Sequence, residues 1–388
     1  METQIANHVV SQRTSLRELA AFFLRLGTTA FGGPAAHIAM MEDELVRRRR
    51  WLSRESFLDL LGASNMIPGP SSSELAIHIG YLRAGWLGLV VAGVCFILPA
   101  AAIVAALAWL YVHFGRLAAA SAILYAVKPV VIAVVLQALW GLGKTAVKTT
   151  FLGVIGACAF VVAFLGLHPL VLLLFAGLAA TLVAFRGSKP SVSGFPLSFM
   201  GFGGAGASLA SFSLGSLFLV FLKIGAVVFG SGYVLLAFLR ADLVIHRGWL
   251  TDSQLIDAVA VGQLTPGPVF TTATFIGYLL GGLPGSVVAT VGIFLPAFLL
   301  VAASGPLIPR IRKSKIAGAF LDGVNVGSLA LMAYVSWQLG RASLVDWITV
   351  GLAIVSAAAL FRWRVNSAWL ILGGAVVGIV VYMIHRGV

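Results

Sequence analysis

Apolar runs of about twenty residues recur along almost the whole chain, and they limit the possible folds more than any other feature of the sequence. A helix of that length crosses the ~30 Å hydrocarbon layer of a bilayer. The runs do not alternate with period two, as the strands of an outer-membrane barrel would. Hydrophobic residues make up 60% of the 388 positions, more than a soluble core could bury. The sequence therefore predicts an all-α, polytopic protein of the bacterial inner membrane, solvated by the lipid bilayer.

The chain also repeats itself with an offset of 198 or 197 residues. The matched pairs are Phe31-Gly32 with Phe229-Gly230, Trp51-Leu52 with Trp249-Leu250, Pro68-Gly69-Pro70 with Pro266-Gly267-Pro268, and Leu98-Pro99 with Leu295-Pro296. We therefore divide the chain into a polar tail (1–14), a first transmembrane repeat (15–186), a linker rich in Gly, Ser and Pro (187–213) and a second repeat (214–388).

Each repeat is expected to contain the same elements. The first is a long helix, 15–46 or 213–244, interrupted at a glycine-rich break. Two short apolar pieces follow, separated by Pro-Gly-Pro and each too short to span the bilayer. Four longer helices complete the repeat. The predicted short pieces are 56–66 with 71–82 and 254–264 with 269–280; the predicted longer helices are 85–111, 118–142, 149–166 and 169–185, and 283–304, 315–339, 344–361 and 367–384.

The charges of the loops indicate how these elements cross the membrane. If the Pro-Gly-Pro pieces form re-entrant half-helices, the basic residues divide more unequally between the two sides than with a kinked full span. The positive-inside rule then favours the re-entrant form, with the Arg47 to Arg50 turn in the cytoplasm. Five full spans per half, an odd number, would insert the second half upside down, as an inverted repeat.

Three basic residues lie inside apolar runs: Arg25, Lys128 and Lys223. A charge at the membrane centre costs roughly 2.5–3.5 kcal/mol on insertion scales, so it usually has a function or a partner. Arg25 and Lys223 are repeat equivalents, which favours attraction of an anion at one pseudo-symmetric centre. The alternative is a cation that snorkels to the interface or pairs with a carboxylate, and for Lys128 that alternative is the stronger one.

The Pro-Gly-Pro breaks are the second signal for a binding site. Proline ends one half-helix and suits the first turn of the next, whose unpaired N–H groups and positive dipole end can hold an anion. Nearby hydroxyls add neutral donors. The alternative is a pair of structural kinks. The candidate substrate-binding residues are Arg25, Lys128 and Lys223 with Gly32, Gly33, Pro68, Gly69, Pro70, Ser71, Ser72, Thr265, Pro266, Gly267, Pro268 and Thr271.

Acidic residues are scarce, and Glu74, Asp322 and the histidine His37 are the candidates for proton coupling. Each of them has an equally simple structural explanation. Cys95 and Cys158 are isolated in apolar stretches, so neither a disulfide nor a metal site is expected. Catalytic and nucleotide-binding motifs are missing from the sequence. We expect no cofactor, no enzymatic activity and no nucleic-acid partner.

These patterns resemble the chromate ion transporter (CHR) family, whose long members consist of two homologous halves. The resemblance covers nearly the whole chain and rests on Phe31-Gly32-Gly33-Pro34 with His37, Trp51-Leu52, Asn65 to Pro70 and Gln263 to Pro268. It implies chromate efflux and chromate resistance, with sulfate as a structural analogue. The second half departs from the first at Ser231-Gly232, which replaces Gly33-Pro34, and at Thr272, which replaces Glu74.

The resulting hypothesis is a secondary transporter of chromate. Other interpretations stay open at this point: a transporter of sulfate or another tetrahedral oxyanion, also inward; a channel; and, from a different class, a membrane-embedded enzyme that acts on lipid phosphates. The last interpretation needs a catalytic constellation, and the few acidic residues are not clustered in the sequence. A homodimer is compatible with the sequence, which does not decide the oligomeric state.

Overall fold

The structure of the chain is a computed structural model that describes residues 14–31, 33–115, 117–185, 212–229, 234–304, 314–363 and 365–386. Helices account for all the regular structure in these ranges. Those of the first repeat are α1 (Leu16–Thr29), α2 (Gly33–Glu42, continued by a π-helical turn, Asp43–Arg48), α3 (Arg54–Ser64), α4 (Ser71–Phe114), α5 (Ala118–Ala146), α6 (Thr150–Ala163) and α7 (Pro169–Phe185).

The second repeat has matching helices at nearly the same spacing. They are α8 (Leu214–Val227), α9 (Leu235–Leu239, continued by a π-helical turn, Arg240–His246), α10 (Asp252–Leu264), α11 (Thr272–Ser304, preceded by a 3-10 turn, Val269–Thr271), α12 (Lys315–Ser343), α13 (Trp347–Trp363) and α14 (Ser367–Arg386). Five helices in the described ranges are long and apolar enough to cross a membrane. The predicted all-α, multi-pass, two-half fold is confirmed.

The first element of each repeat is a hairpin rather than one interrupted span. In the first repeat, Glu18 at the start of α1 lies 3.7 Å from Arg49, just beyond the turn that ends α2. Phe22 and Trp51 also meet, with ring centroids 5.9 Å apart. A continuous helix would hold Glu18 and Arg49 about 46 Å apart at 1.5 Å per residue. The prediction of a single long helix over 15–46 is therefore wrong, because the chain turns back between Thr29 and Gly33.

The second repeat folds back in the same way. Phe212, before α8, stacks edge-on against Trp249, with ring centroids 5.4 Å apart. The residues of the break itself, 230–233, lie outside the described ranges. We call α1–α2 and α8–α9 the entry hairpins.

The Pro-Gly-Pro pieces form a second hairpin in each repeat, as predicted. Arg83 donates to the carbonyl oxygen of Trp51 at 3.0 Å and to the hydroxyl of Thr14 at 2.8 Å. The open ends of the two hairpins therefore lie on one face. Helix α4 then reverses at Ala84 and Gly85. Gly85 has φ of 64°, which an L-residue with a side chain rarely adopts, and the rest of α4 crosses to the opposite face.

The two repeats are inverted relative to each other. Helices α5 and α12 occupy equivalent positions, yet they run antiparallel, because Ile132 lies beside Gly340 while Gly143 lies beside Leu329. A twofold axis along the membrane normal would leave equivalent helices parallel, so the axis lies in the membrane plane. The inversion was expected to follow from five full spans in each half, and that reason is wrong. The entry hairpin and the Pro-Gly-Pro hairpin are both re-entrant, so each repeat has four longer helices.

The basic residues follow this inversion. We name the two faces of the molecule by their charge. The arginine-rich face carries, among the described residues, Arg17, Arg47, Arg48, Arg49, Arg50, Arg54, Arg83, Lys144, Lys148 and Arg362, and the opposite face carries Arg240, Arg247 and Arg341. The return of α1–α2 to its starting face moves Arg17 into the larger group, which makes the asymmetry stronger than the sequence suggested.

Candidate anion site at the crossing of the hairpin tips

The tips of the four hairpins meet in the middle of the fold. The N–H of Gly69 donates to the carbonyl oxygen of Val228 at 2.7 Å, and the N–H of Gly267 donates to that of Ala30 at 3.0 Å. These bonds are repeat equivalents of each other. Each Pro-Gly-Pro tip is therefore joined to the entry-hairpin tip of the other repeat. We call Ala30, Gly69, Val228 and Gly267 with their immediate neighbours the tip cluster.

Helix N-termini point into the tip cluster. Helix α4 begins at Ser71, after Pro70, and its first backbone bonds run from Ser73 and Glu74 to the carbonyl oxygen of Pro70. By helix geometry the amide of Ser72 has no acceptor within the helix, and it lies at the positive end of the helix dipole. This amide, rather than that of Gly69, is the donor that suits an anion. Residues 67–80 are buried, so the site is closed in this conformation.

The second repeat provides a weaker version of this start. After Pro266, Gly267 and Pro268 the chain makes a 3-10 turn before α11 begins. The Thr271 hydroxyl donates to the carbonyl oxygen of Pro268 at 2.8 Å, and that of Thr265 donates to Val261 at 3.0 Å. Both hydroxyls are thus bonded to their own backbone. The two halves of the cluster have the same path but different donors.

His37 links the two hairpin tips of the first repeat. Its Nε2 lies 3.1 Å from the carbonyl oxygen of Ala30, and its Nδ1 lies 3.3 Å from the Ser72 hydroxyl. Because a carbonyl only accepts, Nε2 carries the proton and Ser72 donates to Nδ1. The ring also packs edge-on against Phe96. His37 thus orients Ser72.

Of the predicted break residues, Gly33 begins α2 with φ of 76°, and Gly32 lies outside the described residues.

Glu74 is the most unusual side chain of the cluster. It is fully buried on the first turn of α4, and neither carboxyl oxygen has a hydrogen-bond partner among the described residues. Its carboxyl group lies against Gly69, where any added Cβ would collide with it. The equivalent residue, Thr272, donates to the carbonyl oxygen of Val269 at 2.8 Å. An ionisable group is therefore present in one half only.

Arg25 and Lys223 have different surroundings. Arg25 is exposed and lines a groove of about 390 Å³ between the limbs of the first entry hairpin, together with Thr29, Asp43, Glu44 and Arg48. Lys223 instead pairs with Asp242 at 2.5 Å across the second entry hairpin. Asp242 is the repeat equivalent of Glu44, so each basic residue faces an acidic limb of its own hairpin. The structure does not gather the two cations into one site.

Lys128 belongs to a network between the repeats. Its ammonium group donates to the Ser253 hydroxyl at 2.7 Å and lies 3.4 Å from Asp257 of α10. Asp257 also accepts from the hydroxyl of Tyr111, at 3.0 Å. Asp257 is the repeat equivalent of Asp59 (offset 198), and the sequence alone does not connect it with Lys128 or Tyr111. This arrangement fits the paired-cation interpretation of Lys128.

Asp322, the third coupling candidate, pairs with Lys148 at 2.7 Å at the arginine-rich end of α12. It is far along the chain from the tip residues and has a charged partner, unlike Glu74. Within the ranges that the structure describes, no group of three or more His, Cys, Asp or Glu side chains could hold a metal ion.

Inverted repeats whose broken helices meet in the middle of the fold are the arrangement of many membrane transporters, and that is the class of protein to which this fold and site point. Within that class, the family model described as "Chromate transporter" matches residues 17–181 and 215–379, one match per repeat. The chain belongs to the chromate transporter family. No solved structure matches the chain.

Curated relatives match over nearly the full length. A chromate transport protein of Cupriavidus metallidurans is 34% identical, covering 96% of this chain and 95% of that protein. A probable chromate transport protein of Synechococcus elongatus is 33% identical, over 91% of each. A chromate transport protein of Pseudomonas aeruginosa is 33% identical, over 98% of this chain and 96% of that one. The predictions of the family, of a transporter rather than an enzyme, and of a multi-pass protein of the bacterial inner membrane are confirmed.

Proposed function

We propose that this protein exports chromate from the cytoplasm as a secondary transporter and so confers chromate resistance. The observation that carries the proposal is the tip cluster, in which buried helix N-termini from inverted repeats meet at the centre of the fold. Full-length relatives are named as chromate transport proteins, which supports chromate as the substrate and sulfate as its analogue. Direction and resistance are the parts that experiment must decide.

The binding site that we propose is built on the first turn of α4. The amide of Ser72 and the positive end of α4 hold the oxyanion, while Gly69 and Gly267 join the repeats through Val228 and Ala30. Because the cluster is packed shut, the anion enters when the tips separate. The groove at Arg25 opens between the limbs of the first entry hairpin and offers a cationic approach on the arginine-rich side.

Membrane voltage can drive export without a coupled ion. The arginine-rich face is cytoplasmic under the positive-inside rule. Moving one charge is worth about 2.3 kcal/mol per 100 mV, so a dianion that leaves a negative interior gains roughly 4.6 kcal/mol. That free energy supports a gradient on the order of 10³-fold. Uptake of the same dianion would need energy from several coupled ions.

The test is labelled chromate flux in proteoliposomes of the purified protein under an imposed potassium diffusion potential. We expect saturable flux toward the positive side, with sulfate as a competitor. Reversal of the potential should reverse the net flux of the carrier. Chromate flux that is insensitive to voltage, or that runs toward the negative side, would contradict export driven by the potential.

A further inference from the structure

The position of Glu74 limits the form in which this side chain can exist. Its side chain has no exposed surface, and Gly69 packs directly against the carboxyl group. Two histidines lie on the elements around it, His37 on α2 and His78 on α4. His37 is engaged with Ala30 and Ser72, and His78 Nδ1 lies 3.1 Å from the backbone oxygen of Glu74, not from its carboxyl group. Val228 and Ala297, which close over Gly69, are uncharged.

A buried carboxylate with neither a cation nor a donor is strongly unfavourable, and such a group takes a proton instead. The positive end of α4 would favour a carboxylate, but a helix dipole offsets only a small part of the cost of burying a charge. The same helix end is also the proposed place of the substrate anion, and two anions would repel each other there. Both arguments favour the neutral carboxylic acid.

We propose that Glu74 is a protonated acid that donates a hydrogen bond to the bound oxyanion, and that it thereby selects oxyanions without hydroxyl groups. This inference rests on the proposed function. Chromate and sulfate dianions have only acceptor oxygens, whereas hydrogen phosphate carries an O–H that needs an acceptor. With its O–H turned toward the anion, the carboxylic acid donates as the backbone amide does. To accept from hydrogen phosphate it would have to turn its carbonyl oxygen inward and leave its own O–H without a partner.

Serine hydroxyls near the site can accept as well as donate, which limits how strict this selection is. The Ser72 hydroxyl donates to His37, so its oxygen can still accept. We therefore expect sulfate to be preferred over hydrogen phosphate by at least about tenfold, a difference of about 1.4 kcal/mol.

The experiment compares the wild-type protein with Glu74→Gln and Glu74→Met in proteoliposomes at about pH 8. At that pH most inorganic phosphate is the hydrogen phosphate dianion, so its charge matches that of chromate and sulfate. In the wild type, sulfate should inhibit chromate flux at concentrations at least about tenfold below those of phosphate. Because an amide, like a protonated carboxyl group, both donates and accepts, Glu74→Gln should keep chromate half-saturation within about threefold and leave the sulfate-to-phosphate preference close to that of the wild type. Glu74→Met, which has no donor, should raise chromate half-saturation at least about tenfold.

Glu55→Gln is the matched control, since Glu55 is an exposed acid on the first turn of α3; it should keep wild-type half-saturation and selectivity. Equal inhibition of the wild type by sulfate and phosphate would overturn the proposal. So would tighter chromate binding by Glu74→Gln, because it would mean that a negative charge had been removed. If Glu74→Met does not fold, Glu74→Gln alone decides.

Failure of the proposed function gives a different result. If the wild type moves sulfate but not chromate, labelled sulfate replaces chromate as the flux probe. If neither anion moves, binding of labelled sulfate and phosphate to the purified protein gives the same comparison of Glu74 variants.

Discussion

Arg25 and Lys223 are equivalent in sequence, but their side chains have different neighbours. Arg25 lines an open groove that contains Thr29, Glu44 and Arg48, whereas the charge of Lys223 is neutralised by Asp242. The same substitution should therefore have different consequences in the two halves. Substitution of Arg25 should change how the anion reaches the protein. Substitution of Lys223 should change the stability of the second entry hairpin.

For Arg25→Gln we expect a rise of about tenfold in the half-saturation concentration of chromate flux, because a cation is removed from the approach to the tips. At an effective dielectric near 20, one charge at about 4 Å from a dianion is worth several kcal/mol before desolvation, so a tenfold effect requires only part of it. Arg25→Lys should be milder, since it keeps the charge but loses the planar fork. Concentration-dependent flux, normalised to membrane protein, measures both. A half-saturation concentration equal to that of the wild type in Arg25→Gln would show that Arg25 takes no part in the approach of the anion to the tip cluster.

Lys223→Gln should instead destabilise the protein by roughly 1–3 kcal/mol, because it leaves the buried Asp242 without its cation. The double variant Lys223→Gln with Asp242→Asn removes both charges and should recover most of the loss. Thermal unfolding of the purified proteins measures the effect. A normal melting temperature together with weaker chromate binding in Lys223→Gln would return Lys223 to the binding site.

At the scale of helices and hairpins, the sequence predicted most limits of the elements closely. The Pro-Gly-Pro break and the second break near Gly85 are marked by residues that disfavour a helix, so both could be predicted from local sequence. The return of α1–α2 could not, because its two limbs are apolar and their combined length also suits one tilted span. The bond between Glu18 and Arg49 that shows the return joins residues 31 positions apart.

The candidate site was only partly predictable for the same reason. The Pro-Gly-Pro tips and the hydroxyls after them were identified by their own residue types. Their partners, Val228 for Gly69 and Ala30 for Gly267, are apolar residues that contribute backbone oxygens. Nothing in an alanine or valine indicates such a role. Asp242 and Asp257 were missed as partners because the contacts depend on how two elements cross.

A substitution at the tip tests whether the crossing is needed for transport. Gly69→Val would place a branched side chain against the Glu74 carboxyl group, on a backbone with φ of 139°, which non-glycine residues rarely adopt. We expect chromate flux to fall more than about tenfold while the protein still inserts in the membrane, since a misplaced positioning group can cost about 10²-fold. Gly62→Ala is the control, because a Cβ at Gly62 meets no atom within 4 Å. Normal flux in Gly69→Val and in Gly267→Val would mean that these turns are ordinary kinks.

At the scale of the whole molecule, the inversion does not follow from the number of spans. It follows from the antiparallel packing of α5 with α12. Helix α7 ends on the arginine-rich face, where α12 begins, and α8 begins on the opposite face. The hairpins of the two repeats thus enter from opposite sides, and this is what allows their tips to cross.

Cysteine accessibility tests this topology. In a background without Cys95 and Cys158, Arg17→Cys and Arg47→Cys should both resist a membrane-impermeant thiol reagent in intact cells, whereas Arg247→Cys should be labelled. Arg17 and Arg47 flank the first entry hairpin, so their common side separates a hairpin from a kinked span. Labelling of Arg17→Cys from outside the cell would mean that residues 15–46 form one kinked span and not a hairpin. Labelling of Arg47→Cys and Arg247→Cys from one side would end the inverted arrangement.

The two reciprocal bonds at the tips also bear on how many repeats a functional unit needs. Each repeat supplies one glycine amide, whose acceptor lies in the other repeat, and one carbonyl oxygen, which accepts from the other repeat's amide. In the membrane interior, a polar backbone group without a partner is costly. A single repeat of this kind could meet both requirements only by pairing with a second copy inserted in the opposite orientation. Joining the two in one chain fixes their ratio and their opposed orientation during synthesis, and it leaves each copy free to diverge, as Glu74 and Thr272 have done.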